Sequence, residues 1–523
     1  MTGTRPNTTL PAYHAAVWDE PVVMEMGHPG RRGLVFPQAE PGVAADVRAL
    51  IPAGAARAEA PALPEMSEPE VLRHYLHLSQ MTLGMMGVSL FGTCTMKYNA
   101  PVSEQVAMRP QVAETHPYQP EETLQGTLEL VHGFDTILRE LSGMDQFVFQ
   151  AGGGADAAFT NMCVMRGYWA AKGELGRRNE IVTTIQSHPC NPATAAAAGF
   201  KVVTLMLEEN GYPSIEALKA ALSDRTAALV LNNPDDMGIY NPEIKEWVRL
   251  AKAAGALCFY DHANFNGVMG KIRARDLGFD ACMFMLHKTF GGPKGGGGPA
   301  VGAYGCTDEL ARFLPKPIVG RTDSGFTLDV PEASVGKVRE FMGNLHIVMR
   351  AYAWARGMGA DGINEASDIS VLANNYMEKG LLAIRGVSKS HPTIDGPRME
   401  MTRYSLGTLK EETGIGVGEV ANRMTDYGVD APWLAHEPWH FPEPFTPEAG
   451  ELWSKEDIDT WVAVVAKVCE EAYANPDLVK SAPHNAAIAK VQGEGCEDPA
   501  RWATTWRAYL RKHRGAAQQQ AAE

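Results

Sequence analysis

The sequence predicts an α/β fold: a mostly parallel, doubly wound central sheet followed by a smaller α+β region. Three observations carry this. Between residues 146 and 304, apolar runs of strand length alternate with helix-length segments, the pattern that builds parallel sheets through crossover helices. Four chemistry-bearing groups fall just after predicted strand ends, where open α/β sheets bind ligands. The chain has 523 residues, beyond the size at which one core stops growing, so more than one domain is expected.

Residues 1–60 are rich in Pro, Ala and Gly and are expected to wrap over a partner rather than fold alone. A helix is expected after Ser67, which has the chemistry of an N-cap. Another covers 119–141 on the apolar spacing of Leu124, Leu128, Val131, Ile137 and Leu138. The alternating stretch then reads as strands at 146–150, 181–185, 202–207, 227–231, 256–260, 281–286 and 300–304. The helices between them are expected at 155–172, 193–198, 214–222 and 242–254. Pro and Gly content rises around 313–330, and helices are expected at 337–356 and 371–384. The resulting division is an N-terminal wrapping segment with helices (1–118), a large α/β domain (119–325), a small C-terminal domain (326–500) and a frayed tail (501–523).

The balance of 47 Lys and Arg against 62 Asp and Glu gives a net charge of -15, which argues against nucleic acid as the main partner. No apolar run approaches the roughly 20 residues of a membrane helix. The N-terminus lacks the charged and apolar regions of a secretory signal. A cytoplasmic enzyme is expected. The eight cysteines form no CxxC pair and read as reduced and mostly structural.

Lys288 stands at the end of an apolar run, ahead of the glycine-rich loop from Gly291 to Gly298. A lysine ending a buried strand is costly to desolvate, and burial favours the neutral amine that Schiff-base chemistry needs. Asp261, His188 and the turn Gly152-Gly153-Gly154 follow three other predicted strands. Together they suit pyridoxal phosphate. The lysine would join its aldehyde, a carboxylate would pair with its pyridine nitrogen, and a flat ring would cover its face. A glycine turn opening a helix would meet its phosphate. Taken singly each has a plainer reading. Lys288 could snorkel to solvent. Asp261 could cap a helix, and His188 could be a polar loop residue. The glycine turn also matches a dinucleotide fingerprint, but no acidic residue follows the next strand to take a ribose. His188 and Cys190 lack a matching pair of metal ligands, so no metal is expected.

Longer motifs carry a family resemblance. Gly92-Thr-Cys-Thr-Met-Lys-Tyr-Asn99, His116-Pro-Tyr-Gln-Pro-Glu-Glu122, Asn191-Pro-Ala-Thr-Ala195 and Leu286-His-Lys-Thr-Phe290 occur in order, and Gly295–Pro299 and Leu409-Lys-Glu-Glu-Thr-Gly414 follow. Over roughly residues 20–480 the chain resembles subunit 2 of the two-subunit P-protein of the glycine cleavage system. The resemblance implies fold type I of the pyridoxal-phosphate-dependent transferases, aspartate aminotransferase-like. It implies decarboxylation of glycine and transfer of the aminomethyl group to the lipoyl arm of H-protein. It also implies a related subunit 1, in a dimer or an α2β2 assembly. His188 takes the place of the histidine that the family stacks on the cofactor.

The expected cofactor contacts are then Lys288, Asp261, His188, Gly152, Gly153, Gly154, Ala155, Asn233, Ala263 and His287. Thr95, Lys97, Tyr98 and Asn99 are expected to approach the substrate on a loop, with His262 and Lys294 also on the substrate side. Departures from the family cluster here: Asp261-His262-Ala-Asn264 replaces DGAN, Pro293-Lys294-Gly295 stands where the family's loop begins PHG, His188-Pro189-Cys190 replaces HGS, and Met399-Glu400-Met401 replaces an HEF-type segment. The alternative is a paralogue, a lyase or aminotransferase-type enzyme acting on another amino acid or amine.

Overall fold

The computed structural model describes residues 9–40, 50–59, 61–83, 88–91, 100–116, 118–293, 300–394, 396–436, 439–488, 490 and 505–513. Contacts divide the chain into two compact units. The larger comprises residues 1–10, 88–424 and 430–480, and the smaller comprises 11–87, 425–429 and 481–523. The segment 326–500, expected as one small domain, contributes to both.

The larger unit is built on a seven-stranded sheet: β1 (Gln146–Ala151), β2 (Glu180–Thr184), β3 (Lys201–Leu205), β4 (Thr226–Asn232), β5 (Leu257–His262), β6 (Ala281–Met285) and β7 (Gly302–Cys306). Their order across the sheet is β1-β7-β6-β5-β4-β2-β3. The pairs from β3 to β6 are parallel. β7 alone runs the other way, antiparallel to both β6 and β1.

Alternation along the strands feeds two separate cores, as a doubly wound sheet requires. Leu229, Leu231, Cys258 and Tyr260 enter one core with Phe134, Trp247 and Phe284. Ala228, Val230, Leu257 and Phe259 enter the other with Met162, Met165 and Met283. Helices Gln125–Ser142 and Ile244–Ala253 cover the first face, and helix Gly154–Ala171 covers the second.

A hairpin, β8 (Ile318–Thr322) with β9 (Gly325–Asp329), follows the sheet. Beyond it a small antiparallel sheet forms from β10 (Ser388–Lys389), β11 (Tyr404–Ser405) and β12 (Pro444–Phe445). The expected helices at 337–356 and 371–384 are corrected. One helical run extends over Leu345–Leu381, broken only at Gly359, where φ is 64°. Across the interval left between the two expected helices, Ile363, Ala366, Ser367 and Ser370 bury one helical face, and that burial outweighs the weak helix propensity of the glycines there. Arg350 on this helix forms a bidentate ion pair with Glu104, fixing the short helix Pro101–Ala107.

Within the smaller unit, helix Glu68–Gln80 opens on a capping box of Ser67 and Glu70. Glu20 lies between His74 and His77 of that helix, and the Trp18 ring stacks on His77. Among the described residues no helix is long and apolar enough to cross a membrane. The six described cysteines are free thiols, while Cys94 and Cys496 lie outside the described residues.

Candidate active site

The parallel strands deliver the groups expected from the sequence to one edge of the sheet. Asp261 is the fifth residue of β5 and is paired in register with Met283 of β6. Three residues past the end of β6, Lys288 is held by its N–H to the Met285 carbonyl at 3.1 Å. The Lys288 side chain is 6% exposed, and no described residue hydrogen-bonds or ion-pairs with its amine.

Asp261 is 1% exposed. Its Oδ2 accepts from the Asn191 amide at 2.9 Å, and its Oδ1 accepts from the Ala263 N–H at 2.9 Å. Burial pushes its carboxyl up to about 6, against the pull of those two hydrogen bonds and of the Lys288 charge. A buried carboxyl with only neutral donors is poised to take a cationic partner. Asn191 keeps its own carbonyl oxygen unpartnered in the interior. Residues 191–195 formed one of the motifs, but no spacing assigned Asn191 to Asp261.

His188 precedes helix Cys190–Ala197, and its Nδ1 accepts the Cys190 N–H at 3.1 Å. That bond fixes the tautomer, leaving Nε2 to carry the proton of the neutral ring. Burial, with the Lys288 charge, lowers the His188 pKa below its ordinary value. The Cys190 thiol is pushed well up, first by burial and then by Asp261 and Asp236.

The glycine turn is shaped by contacts from far along the chain. Gly152 donates to the Asp156 carboxylate at 2.9 Å, and helix Gly154–Ala171 starts with no side-chain cap. A Cβ on Gly152 would lie 2.2 Å from the Arg339 guanidinium, which pairs with Asp156 at 3.1 Å. A Cβ on Gly302 of β7 would lie 2.4 Å from the Gly153 carbonyl, so β7 and the turn approach backbone to backbone. Neither Arg339 nor Gly302 carried a sequence signal, because each acts across more than 140 residues.

Other expected residues fall elsewhere. The Asn233 amide closes its own loop by two hydrogen bonds to the Asn241 backbone, at 2.7 and 3.3 Å. Ala263 contributes its N–H to Asp261, Ala155 lies in the first turn of its helix, and His287 is half-buried. Thr95, Lys97, Tyr98, Asn99 and Lys294 lie outside the described residues.

His262 differs from expectation. Because β5 runs on to residue 262, His262 faces away from Asp261 and into the aromatic core. Its ring stacks on Phe284 at 5.2 Å and 7°, and both ring nitrogens are buried without a partner. Burial drives its pKa down to about 3, so it stays neutral.

The chain is 41% identical over 484 residues to a probable glycine dehydrogenase (decarboxylating) subunit 2 from Pyrococcus abyssi, covering 92% of this chain and 94% of that one. The counterpart from Pyrococcus furiosus is 41% identical over 95% of this chain and 98% of its own length. The chain belongs to the family of glycine dehydrogenase (decarboxylating) subunit 2.

Residues 142–320, which contain all seven strands of the large sheet, match the aminotransferase class-V family. Among solved structures the chain is similar to a glycine decarboxylase (P-protein) of the glycine cleavage system. That TM-score is 0.65 at 22% identity, covering 80% of this chain and 92% of that one. A cysteine desulfurase from Escherichia coli shares the fold with a TM-score of 0.55 at 16% identity, over 73% of this chain and 95% of that one. The fold is type I of the pyridoxal-phosphate-dependent enzymes.

The donor set fits pyridoxal phosphate. A buried amine without a described partner, a buried carboxyl with only neutral donors, a half-buried ring and an uncapped helix N-terminus follow or end strands β6, β5, β2 and β1 of one sheet.

Proposed function

We propose that this chain is the catalytic subunit of a pyridoxal-phosphate-dependent glycine dehydrogenase. In this reading it removes the carboxyl group of glycine and passes the aminomethyl group to the lipoyl arm of H-protein. A related subunit 1 completes the enzyme. The observation that carries the reading is the placement of Asp261 and Lys288 at the ends of the adjacent parallel strands β5 and β6, in a chain with this degree of identity to subunit 2 relatives.

When bound, the cofactor supplies an electron sink for the pair left behind by departing carbon dioxide. Lys288 would hold its aldehyde carbon and yield to the amine of glycine. Asp261 would hold a proton at the ring nitrogen; the cation there would in turn bring its carboxyl back down from about 6. His188, pinned through Nδ1, would cover the ring and exclude water from one face. The amides of Gly153, Gly154 and Ala155 would meet the phosphate at the positive end of their helix.

The test combines this chain with the related subunit and lipoylated H-protein and follows exchange of labelled carbon dioxide into glycine. Exchange that needs all three proteins and accompanies visible cofactor absorbance is the expected result. A colourless protein, or one inert in the full mixture, would overturn the reading.

A further inference from the structure

We propose that Arg339 retains the cofactor by its phosphate, and that the segment carrying it is held over the glycine turn by Tyr118 of the motif at 116–122. This rests on the reading that pyridoxal phosphate binds at Lys288.

The turn Gly152-Gly153-Gly154 and the lysine belong to one site. A Cβ on Gly154 would run into the Met285 side chain, and the Met285 carbonyl accepts the Lys288 N–H at 3.1 Å. The turn therefore packs on the same strand end that carries Lys288, whose side chain is 6% exposed and whose amine has no described partner.

An anion at this turn would meet helix amides, but also an acid. Asp156, in the first turn of helix Gly154–Ala171, accepts the Gly152 N–H through Oδ2 at 2.9 Å. A carboxylate there opposes a phosphate that carries close to two negative charges. Arg339 answers that charge. Its Nε pairs with the same Asp156 oxygen at 3.1 Å, and its guanidinium lies across Gly152, where any Cβ would collide with it. Neither terminal nitrogen hydrogen-bonds a described residue. Two forked donors beside a helix N-terminus suit the oxygens of a phosphate.

Arg339 stands there because its segment is pinned. At one end the Gly336 carbonyl accepts the Lys316 N–H at 2.9 Å. At the other, Gly343 passes so close to the end of β1 that a Cβ would run into the Phe149 carbonyl. Between them Phe341 has a φ of 58°, in the left-handed region that a bulky residue adopts only where its surroundings enforce it. Tyr118 supplies that enforcement. Its ring meets Phe341 edge-on with centroids 4.6 Å apart, its hydroxyl donates to the Glu340 carboxylate at 3.0 Å, and the Lys337 amine donates back to the hydroxyl at 3.1 Å. Lys337 and Glu340 also pair with each other at 2.9 Å, so Arg339 is the cation that this segment leaves for the turn.

The experiment strips the cofactor from the enzyme, assembled with its related subunit, and measures the affinities of pyridoxal phosphate and pyridoxal by equilibrium dialysis. The wild type is expected to prefer pyridoxal phosphate by at least about 10²-fold. Arg339→Gln should lower that preference about tenfold by weakening the phosphorylated form alone, and Arg339→Lys should recover part of it. Added salt should erode the preference of the wild type more than that of the glutamine variant, because the share owed to Arg339 is ionic. Tyr118→Phe should lower the preference about threefold in the same direction. The Arg339 side chain is 56% exposed, so its replacement opens no cavity and the variants should fold. A glutamine variant that keeps the full preference, or that weakens both ligands alike, would overturn the proposal. An unchanged preference in Tyr118→Phe would overturn the part assigned to the motif. If the wild type does not distinguish the two ligands, the cofactor reading falls first, and this proposal falls with it.

Discussion

Two neighbouring residues of β5 face opposite sides of the same sheet and have opposite fates. Asp261 turns toward the lysine site, keeps two hydrogen-bonded donors, and has a carboxyl raised to about 6. His262 turns into an aromatic core, keeps no partner on either nitrogen, and is driven down to about 3. Burial is nearly the same, at 1% exposure each. What separates them is the company on each face: polar loops and a lysine on one side, and Tyr260, Phe265 and Phe284 on the other. Burial alone therefore says little about function, whereas burial with directed donors and an unpaired amine close by says a great deal.

The comparison breaks most completely at the amine that gives the polar face its purpose. Lys288→Ala should abolish the visible absorbance of the bound cofactor and reduce carbon dioxide exchange to background; retained absorbance with activity would refute the assignment. Asp261→Asn keeps the shape but cannot hold an ionised partner, so exchange should fall by at least about 10²-fold with the cofactor still bound. A loss of less than about threefold would show that the carboxylate has no electronic role. Gly302→Ala forces β7 away from the Gly153 carbonyl and should weaken cofactor retention about tenfold, measured by equilibrium dialysis.

The smallest effect belongs to the other face. His262→Phe removes two orphaned nitrogens and should raise the unfolding free energy by about 1 kcal/mol near neutral pH while leaving exchange unchanged. The sign of the pH dependence follows from the lowered pKa. The unfolded chain takes up a proton below about 6.5 that the folded chain refuses until about 3, so the wild type loses stability as pH falls through that window. The advantage of the variant should therefore widen between pH 7 and pH 5 in denaturant titrations. A constant gap would show that His262 does not titrate in this way.

Much of this was legible in the sequence wherever the signal was local. Alternating strands and helices gave the sheet, and the predicted strand ends fall close to where β2, β5 and β6 place His188, Asp261 and Lys288. The error at His262 came from ending the strand at residue 260. With β5 running to His262, period-two alternation sends that side chain to the opposite face. Asn191 and Gly302 had no comparable signal. Each meets its partner, Asp261 for the one and the Gly153 carbonyl for the other, across a long stretch of chain, and no local spacing encodes either contact. The helix broken only at Gly359 was likewise hidden, because tertiary burial holds it together through residues of weak helix propensity.

Cys190 carries a practical consequence. Sulfur becomes a competent nucleophile only as thiolate, and here the crevice holds it in the protonated form. A carbonyl compound entering beside it would meet an amine able to condense and no sulfur rival. Alkylating reagents should spare this position, so chemical labelling of the intact enzyme would map its surface and miss its centre.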